Sequence, residues 1–552
     1  MEILDLSIIV LALIFLRLWW RYWSTTGGGP KNLPPGPPGW PLVGNLIQII
    51  LQRQHFIFIV RGLRKRYGPI FSMQMGQRTM VIVTDSRLIH EALVQRGPTF
   101  ASRPPDSPIR LVFSVGKRAI NSAEYGPLWR TLRKNFVTEV ITPTRVKQCG
   151  WIRKWAIENH MKRIESDAME TGVVEVMSNC RLTICSILIC LCFGAKISEQ
   201  RIKEIESILK DVMLITSPQL PDFLPVLTPL FHRQMKKAKA LRKKQLECLV
   251  PLIKARRAFV EKGENPNQEM VSPLGAAYID SLFGLEPDKT RGPLGEEEYV
   301  TLCSEVISAG TDTSATTVEW AMLHLVMNQD IQDKLYHEIV ECVGKNGDIK
   351  EEDVEKMAYL ESVVKETFRR HPPSHFLLSH AAIKDTELGG YTIPEGVHVE
   401  FYTAWITEDP DIWSDPGEFR PDRFLRGDGV GVDVTGTRSV KMLPFGAGRR
   451  ICPAWNLGVL HIKLSLAKMV QAFKWLPVPD SPPDMTETYA FTVVMKNPLK
   501  AVILPRVRVF WTWSYLDEQS ELVESKLLVA ATSQQFANAK VNIFRLWEMK
   551  VE

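Results

Sequence analysis

The chain has neither a disulfide frame nor a strong charge. Its nine cysteines (Cys149, Cys180, Cys185, Cys190, Cys192, Cys248, Cys303, Cys342 and Cys452) are an odd number and contain no CxxC pair. Most lie in apolar helical stretches, so they read as reduced core residues of a cytosol-facing protein. A formal charge of +6 over 552 residues supports only mild attraction to acidic partners or anionic membranes, and nothing points to nucleic acid. The densest basic run, 232–244 (HRQMKKAKALRKK), has no interleaved aromatics and reads as a solvated helix face. The N-terminus lacks the basic n-region and the nearby small-x-small site of a cleaved signal peptide.

What is present begins with one long apolar run. Ile3 to Trp20 is just long enough to cross a bilayer, with Arg17 able to snorkel and Trp19 and Trp20 at the interface. Glu2 and Asp5 precede it and Arg21 and Lys31 follow, which places the N-terminus in the lumen and the remainder in the cytosol. Residues 1–24 therefore read as an uncleaved anchor. Residues 25–41 read as a Gly/Pro hinge, because five prolines fall between Leu33 and Pro41. Two β-rich runs between Ile70 and Val83 flank Gly76-Gln77-Arg78 and predict a hairpin. Helical patterning fills 143–253 except at 216–231, where prolines alternate with leucines in an apolar lid suited to touching a membrane. The polar link 263–268 reads as a loop, and Tyr391 to Phe401 as a small hairpin.

The most chemically specific stretch is Pro444-Phe445-Gly446-Ala447-Gly448-Arg449-Arg450-Ile451-Cys452-Pro453-Ala454. Small residues let the backbone fold tightly beneath the sulfur. Arg449 and Arg450 should ease its deprotonation, and Pro453 suits the first turn of a helix. Such a thiolate is a metal ligand or a nucleophile. A second stretch, Ala309-Gly310-Thr311-Asp312-Thr313-Ser314, sits mid-helix within about 295–327, where glycine and threonines are locally unfavourable. Gly310 would let that helix lie against a flat ligand, and Asp312 and Thr313 offer an acid and a hydroxyl. Trp129 and Arg133 are i,i+4, and Glu366 and Arg369 are i,i+3.

Phe445, Gly448, Arg450 and Cys452 resemble the Phe-x-x-Gly-x-Arg-x-Cys loop of cytochromes P450, and the likeness continues to about Arg506. Ala454 stands where that family usually has glycine, and Ala381 where it often has arginine. The resemblance implies a mainly α fold with a small β region, one catalytic domain over 42–506, and haem b ligated by the Cys452 thiolate. It implies that Trp129 and Arg133 reach a haem propionate and that Asp312 and Thr313 relay protons during oxygen activation. It also implies that Glu366 and Arg369 interlock with Arg423 to brace the pocket, and that Phe113, Ala309 and Phe376 line it. The surrounding text is similar to plant microsomal members, nearest the in-chain fatty-acid hydroxylases and epoxidases linked to cutin. That implies an NADPH-cytochrome P450 reductase, O2, a lipophilic substrate and the endoplasmic reticulum membrane. Arg103 or Arg110 is then expected to meet a fatty-acid carboxylate. A P450-fold isomerase or dehydratase for lipid hydroperoxides, an oxygenase of another plant metabolite and a non-catalytic haem sensor are the rival readings. Residues 507–552 do not resemble a P450 ending and are expected to pack poorly.

Overall fold

The computed structural model describes residue 17 and residues 32–506 apart from 288–291, 439, 480 and 490. Apart from residue 17, the expected anchor, with the first part of the hinge and the 507–552 extension, lies outside the described residues. Among those described, Val176–Phe193 is the one helix long and apolar enough to span a membrane, and 83% of it is buried inside the protein. It is a core helix.

Nine helices position the site: α1 (Pro108–Phe113), α2 (Pro127–Val140), α3 (Gly150–Thr171), α4 (Val176–Phe193), α5 (Glu199–Ile215), α6 (His232–Lys262), α7 (Glu296–Met327), α8 (Ala358–Arg370) and α9 (Trp455–Ala472). Central α7 starts cleanly because Glu298 accepts the Gly295 N–H at 2.8 Å. Three glutamates in its first turn also oppose the helix dipole. Like α4, it is buried around most of its circumference, as expected of a helix without one dominant apolar face. Gly310 permits their close approach, since a Cβ there would lie 2.7 Å from Leu188 Cδ1. That corrects the expected role of Gly310: its missing side chain faces α4, not a flat ligand.

Strand β1 (Ile70–Met75) pairs antiparallel with β2 (Arg78–Val83) around the Gly76–Gln77 turn, as the sequence predicts. The short β3 (Val174–Glu175) belongs to a separate three-stranded sheet. Four further strands are β4 (His380–Ala381), β5 (Thr386–Leu388), β6 (Tyr391–Ile393) and β7 (His398–Phe401), and the first sheet runs β1-β2-β7-β4. The second predicted hairpin needs correcting. β6 turns back onto β5 across Gly389–Gly390, whose consecutive positive φ values suit a two-residue hairpin loop. β7 runs parallel to β2 instead.

The proline stretch is stiff but not a free spacer. Ser72 N–H and Oγ donate to the Pro35 and Pro34 carbonyls at 2.8 and 2.7 Å, fastening it to β1. The lid is more structured than a loop, with short helical turns at Leu220–Phe223 and Pro225–Phe231. Its Phe223 carbonyl accepts the Gln77 N–H at 3.0 Å and Leu224 is buried, whereas Val226 and Leu230 are 74% and 73% exposed. The basic run is mostly solvated on α6. Arg242 is the exception, buried against α7 through the Glu297 carbonyl and the Thr301 hydroxyl. All nine cysteines are free; Cys342 is exposed and Cys248 and Cys452 are half-buried, so these three are not core residues.

Candidate active site

Gly446 and Gly448 adopt φ +69 and +68. A Cβ on Gly448 would stand 1.7 Å from the Leu93 carbonyl oxygen, so glycine is required there. The Cys452 N–H donates to the Phe445 carbonyl at 2.8 Å, closing the loop, and the Phe445 ring meets Phe368 of α8 edge-on at 5.1 Å. The electrostatics differ from the sequence expectation. Burial pushes the Cys452 thiol up, while the Ala454 N–H and Arg133 pull it down. Arg449 is exposed, and Arg450 is spent on the carbonyls of Ala101, Ile120 and Ala123, so neither is the cation facing the sulfur. Pro453 also lies outside the helix, because α9 begins at Trp455 with Ala454 as its N-cap. At φ −100, Ala454 carries its methyl without left-handed strain.

Around this loop the described residues leave donors without acceptors. Trp129 is buried with its Nε1 unpartnered, and so is His380 with its Nδ1 unpartnered. Arg450, not Arg133, stacks on Trp129, with the guanidinium carbon 4.5 Å from the ring centroid; Arg133 donates to the Ile451 carbonyl at 2.5 Å. Burial, then Arg103 and Arg133, lower the Arg450 pKa to about 9. Burial lowers Arg103 to about 10, and Arg103 and Arg450 add to the burial that holds His380 well below the usual histidine range. Three guanidinium groups, of which only Arg133 acts on the sulfur, and two unpartnered ring nitrogens beside the cysteine loop fit a flat metal-bearing macrocycle with anionic side groups. The donor set therefore fits haem.

On the central helix α7, Asp312 is buried and ion-paired to Arg181 of α4, which also donates to Glu206 of α5 at 2.6 Å. A cavity of ≈ 10 Å³ lies beside it, lined by Arg181, Glu206, Lys210, Thr311 and Asp312 among others, which is room for about one water. The Thr313 hydroxyl donates to its own helix at Ala309 O, 2.8 Å away. Thus Asp312 and Thr313 are sequence neighbours that point to different partners. Ala309 is exposed on α7 and Phe113 is buried at the end of α1. Phe376 departs from expectation: its ring packs on Tyr402 at 4.9 Å and Phe56 at 5.9 Å within the cluster beside β1.

Arg103 also departs from expectation. Its Nε and Nη1 donate to the carbonyls of Asn121, Leu378 and Ser379, so most of its fork is spent on backbone. Arg110 remains exposed, its one ion pair among the described residues being with Asp106 at 3.5 Å.

The brace is fully assembled. Glu366 takes Arg369 in bidentate fashion at 2.7 and 2.9 Å, and its Oε1 also accepts Arg423 Nε at 3.0 Å and the Arg420 N–H at 2.8 Å. Arg369 spends its remaining protons on the carbonyls of Thr407, Pro416 and Glu418. All three side chains are essentially inaccessible to solvent.

Sequence reasoning missed Arg181 and Glu305. The first had no sequence signal, because its partner is 131 residues away. Glu305 did, lying one turn before Ala309 on the same helix face. Its carboxylate accepts the Ile120 and Asn121 N–H groups, and burial pushes its pKa up to about 7.

Comparison with known proteins agrees with this geometry. The family model for Cytochrome P450 matches residues 34–504. Cytochrome P450 89A9 of Arabidopsis thaliana is 36% identical over 509 residues, covering 89% of this chain and 96% of its own. Flavonoid 3'-monooxygenase of the same plant is 31% identical, covering 92% and 98%. A zebra fish cytochrome P450 structure superposes with a TM-score of 0.67 at 22% identity, covering 82% of this chain and all of its own, which speaks for the fold alone. With the thiolate loop, the unpartnered donors around it and a family match over most of its length, the chain belongs to the cytochrome P450 family of haem-thiolate monooxygenases.

Proposed function

We propose that this plant-type monooxygenase oxygenates a fatty acid within its chain, by hydroxylation or epoxidation, using electrons from NADPH-cytochrome P450 reductase. Haem bound through Cys452 supplies the redox centre at which O2 is activated. Trp129, Arg133 and His380 would hold its anionic edge, with Arg450, bonded to backbone carbonyls and stacked on Trp129, adding its charge there. Glu366, Arg369 and Arg423 keep the underlying loop in place. Asp312 takes protons from the cleft by Glu206 and Lys210 and passes them toward Thr313, whose hydroxyl must first leave the Ala309 carbonyl. The ion pair with Arg181 holds the Asp312 carboxylate beside that cleft.

The observation that carries the lipophilic substrate is the lid. Val226 and Leu230 stand exposed near the docked Leu224, while Ile50 and Leu51, 62% and 74% exposed, add apolar surface on the helix after the proline stretch. Such surface is unfavourable in water and suits a bilayer. It supports an endoplasmic reticulum protein anchored by 1–24, hinged through 25–41 and bearing a cytosolic catalytic domain over 42–506. Of the two arginines expected to meet a carboxylate, Arg110 is the one free enough to do so. A second reading, oxygenation of another plant metabolite, draws on relatives named Flavonoid 3'-monooxygenase and Iridoid oxidase.

Microsomes containing the protein, reductase and NADPH, given fatty acids of several chain lengths beside a flavonoid and a monoterpenoid, separate the two. Mass spectrometry locating the added oxygen mid-chain in a fatty acid supports the proposal. Turnover of the ring compounds alone overturns it.

A further inference from the structure

The turn Ile120–Asn121 is gripped at all four of its backbone polar groups. Glu305 Oε2 accepts the Ile120 N–H at 2.9 Å and Oε1 the Asn121 N–H at 2.5 Å. Arg450 Nη1 donates to the Ile120 carbonyl at 3.1 Å and Arg103 Nε to the Asn121 carbonyl at 2.7 Å. Upstream, the Thr301 hydroxyl donates to the Phe113 carbonyl at 3.0 Å, and Glu298 accepts Arg118 Nη1 at 2.6 Å. Glu298, Thr301 and Glu305 are i, i+3 and i+7 on α7, which puts them in one stripe about 10 Å long. Between these fasteners the backbone is strained: Val115, Gly116 and Lys117 take φ of +48, +66 and +66 in succession. A β-branched residue in the left-handed region persists only where its surroundings hold it there.

We propose that Glu305 is a positioning residue, a carboxylate clasp by which the central helix holds the strained segment 113–121 closed and, through its terminal turn, keeps Arg103 and Arg450 in place. Two parallel N–H groups call for two acceptor oxygens, which only a carboxylate supplies. Glutamine would turn an NH2 donor toward one of them, and alanine would leave both without that acceptor, the Ile120 N–H in a part-buried setting and the Asn121 N–H open to water. The inference rests on the geometry of this segment and not on the fatty-acid reading.

Limited trypsin digestion of the haem-loaded full-length protein tests it without any substrate, because Lys117 and Arg118 lie in the segment. Cleavage there should rise about threefold in E305Q and about tenfold in E305A, with the rest of the cleavage map unchanged, since proteolysis follows the population of the open form. E298Q, which frees Arg118 but leaves the turn gripped, should have the smaller effect. Carbon monoxide rebinding to the reduced protein after flash photolysis should quicken in the same order. Unchanged cleavage at 117–118 in both Glu305 variants would overturn the proposal. Equal acceleration at every site would do so too, since it would mark a general loss of stability. If E305A does not retain haem, E305Q decides on the same criteria.

Discussion

The loop and brace around Cys452 differ in construction from the face formed by the central helix. In the brace, one buried carboxylate serves two arginines and a backbone N–H, and Arg369 meets three carbonyls besides. On the central helix, Thr313 is bonded to its own backbone, the buried Thr311 Oγ1 has no nitrogen or oxygen partner among the described residues, and Asp312 depends on an arginine from another helix. A fully satisfied network specifies one geometry, whereas a partly satisfied one leaves groups free to exchange partners. The first arrangement suits holding a loop still. The second suits moving protons and admitting a substrate.

The largest blow to the rigid side should come from G448A. Its Cβ would need the space of the Leu93 carbonyl at a positive φ, so haem retention after purification should be lost. Next comes E366A, which strands Arg369 and Arg423 in the interior; stability to chemical denaturant should fall by about 3–5 kcal/mol. On the helix face, D312N leaves Arg181 its Glu206 partner, so it should cost less stability than E366A but lower kcat by about a hundredfold. A solvent deuterium isotope effect larger than that of the parent would show that a proton step has become limiting.

Glu319 offers a smaller test within the same helix. Its Oε1 accepts the Leu499 N–H at 2.8 Å while Oε2 is buried without a partner among the described residues, and burial raises its pKa to about 7. A raised carboxyl pKa means that the folded state binds the proton more tightly than the unfolded one. The stability it contributes is full below the unfolded value near 4.5 and is lost as pH rises through about 7. E319Q should therefore flatten the fall in Tm between those limits. The smallest effect belongs to A454G: at φ −100 the methyl is not strained, so stability should drop by no more than about 1 kcal/mol, through unfolded-state entropy.

The rigid side was legible in the sequence because its chemistry is local. Glycine, arginine and cysteine at fixed spacing describe one loop, and Glu366 and Arg369 are one helical turn apart. Long-range partners were not. Nothing near Asp312 announces Arg181, and nothing near Arg450 announces that it stacks on Trp129 while Arg133 turns to the sulfur. Burial also reversed a local inference: neighbouring arginines suggested an acidic thiol, but removal from water dominates and pushes Cys452 the other way. Phe376 and Arg103 were misplaced for the same reason, since a linear order does not say which backbone carbonyls or aromatic neighbours will claim a side chain first.

The central claim is that the Cys452 sulfur would be the protein's ligand to the haem iron. The reduced carbon monoxide difference spectrum of the purified parent, beside C452H and C452A, tests it most directly. The account predicts the red-shifted band of thiolate ligation in the parent and its loss in both variants. A haem-loaded parent without that band, or a C452A protein that keeps it, would contradict the account.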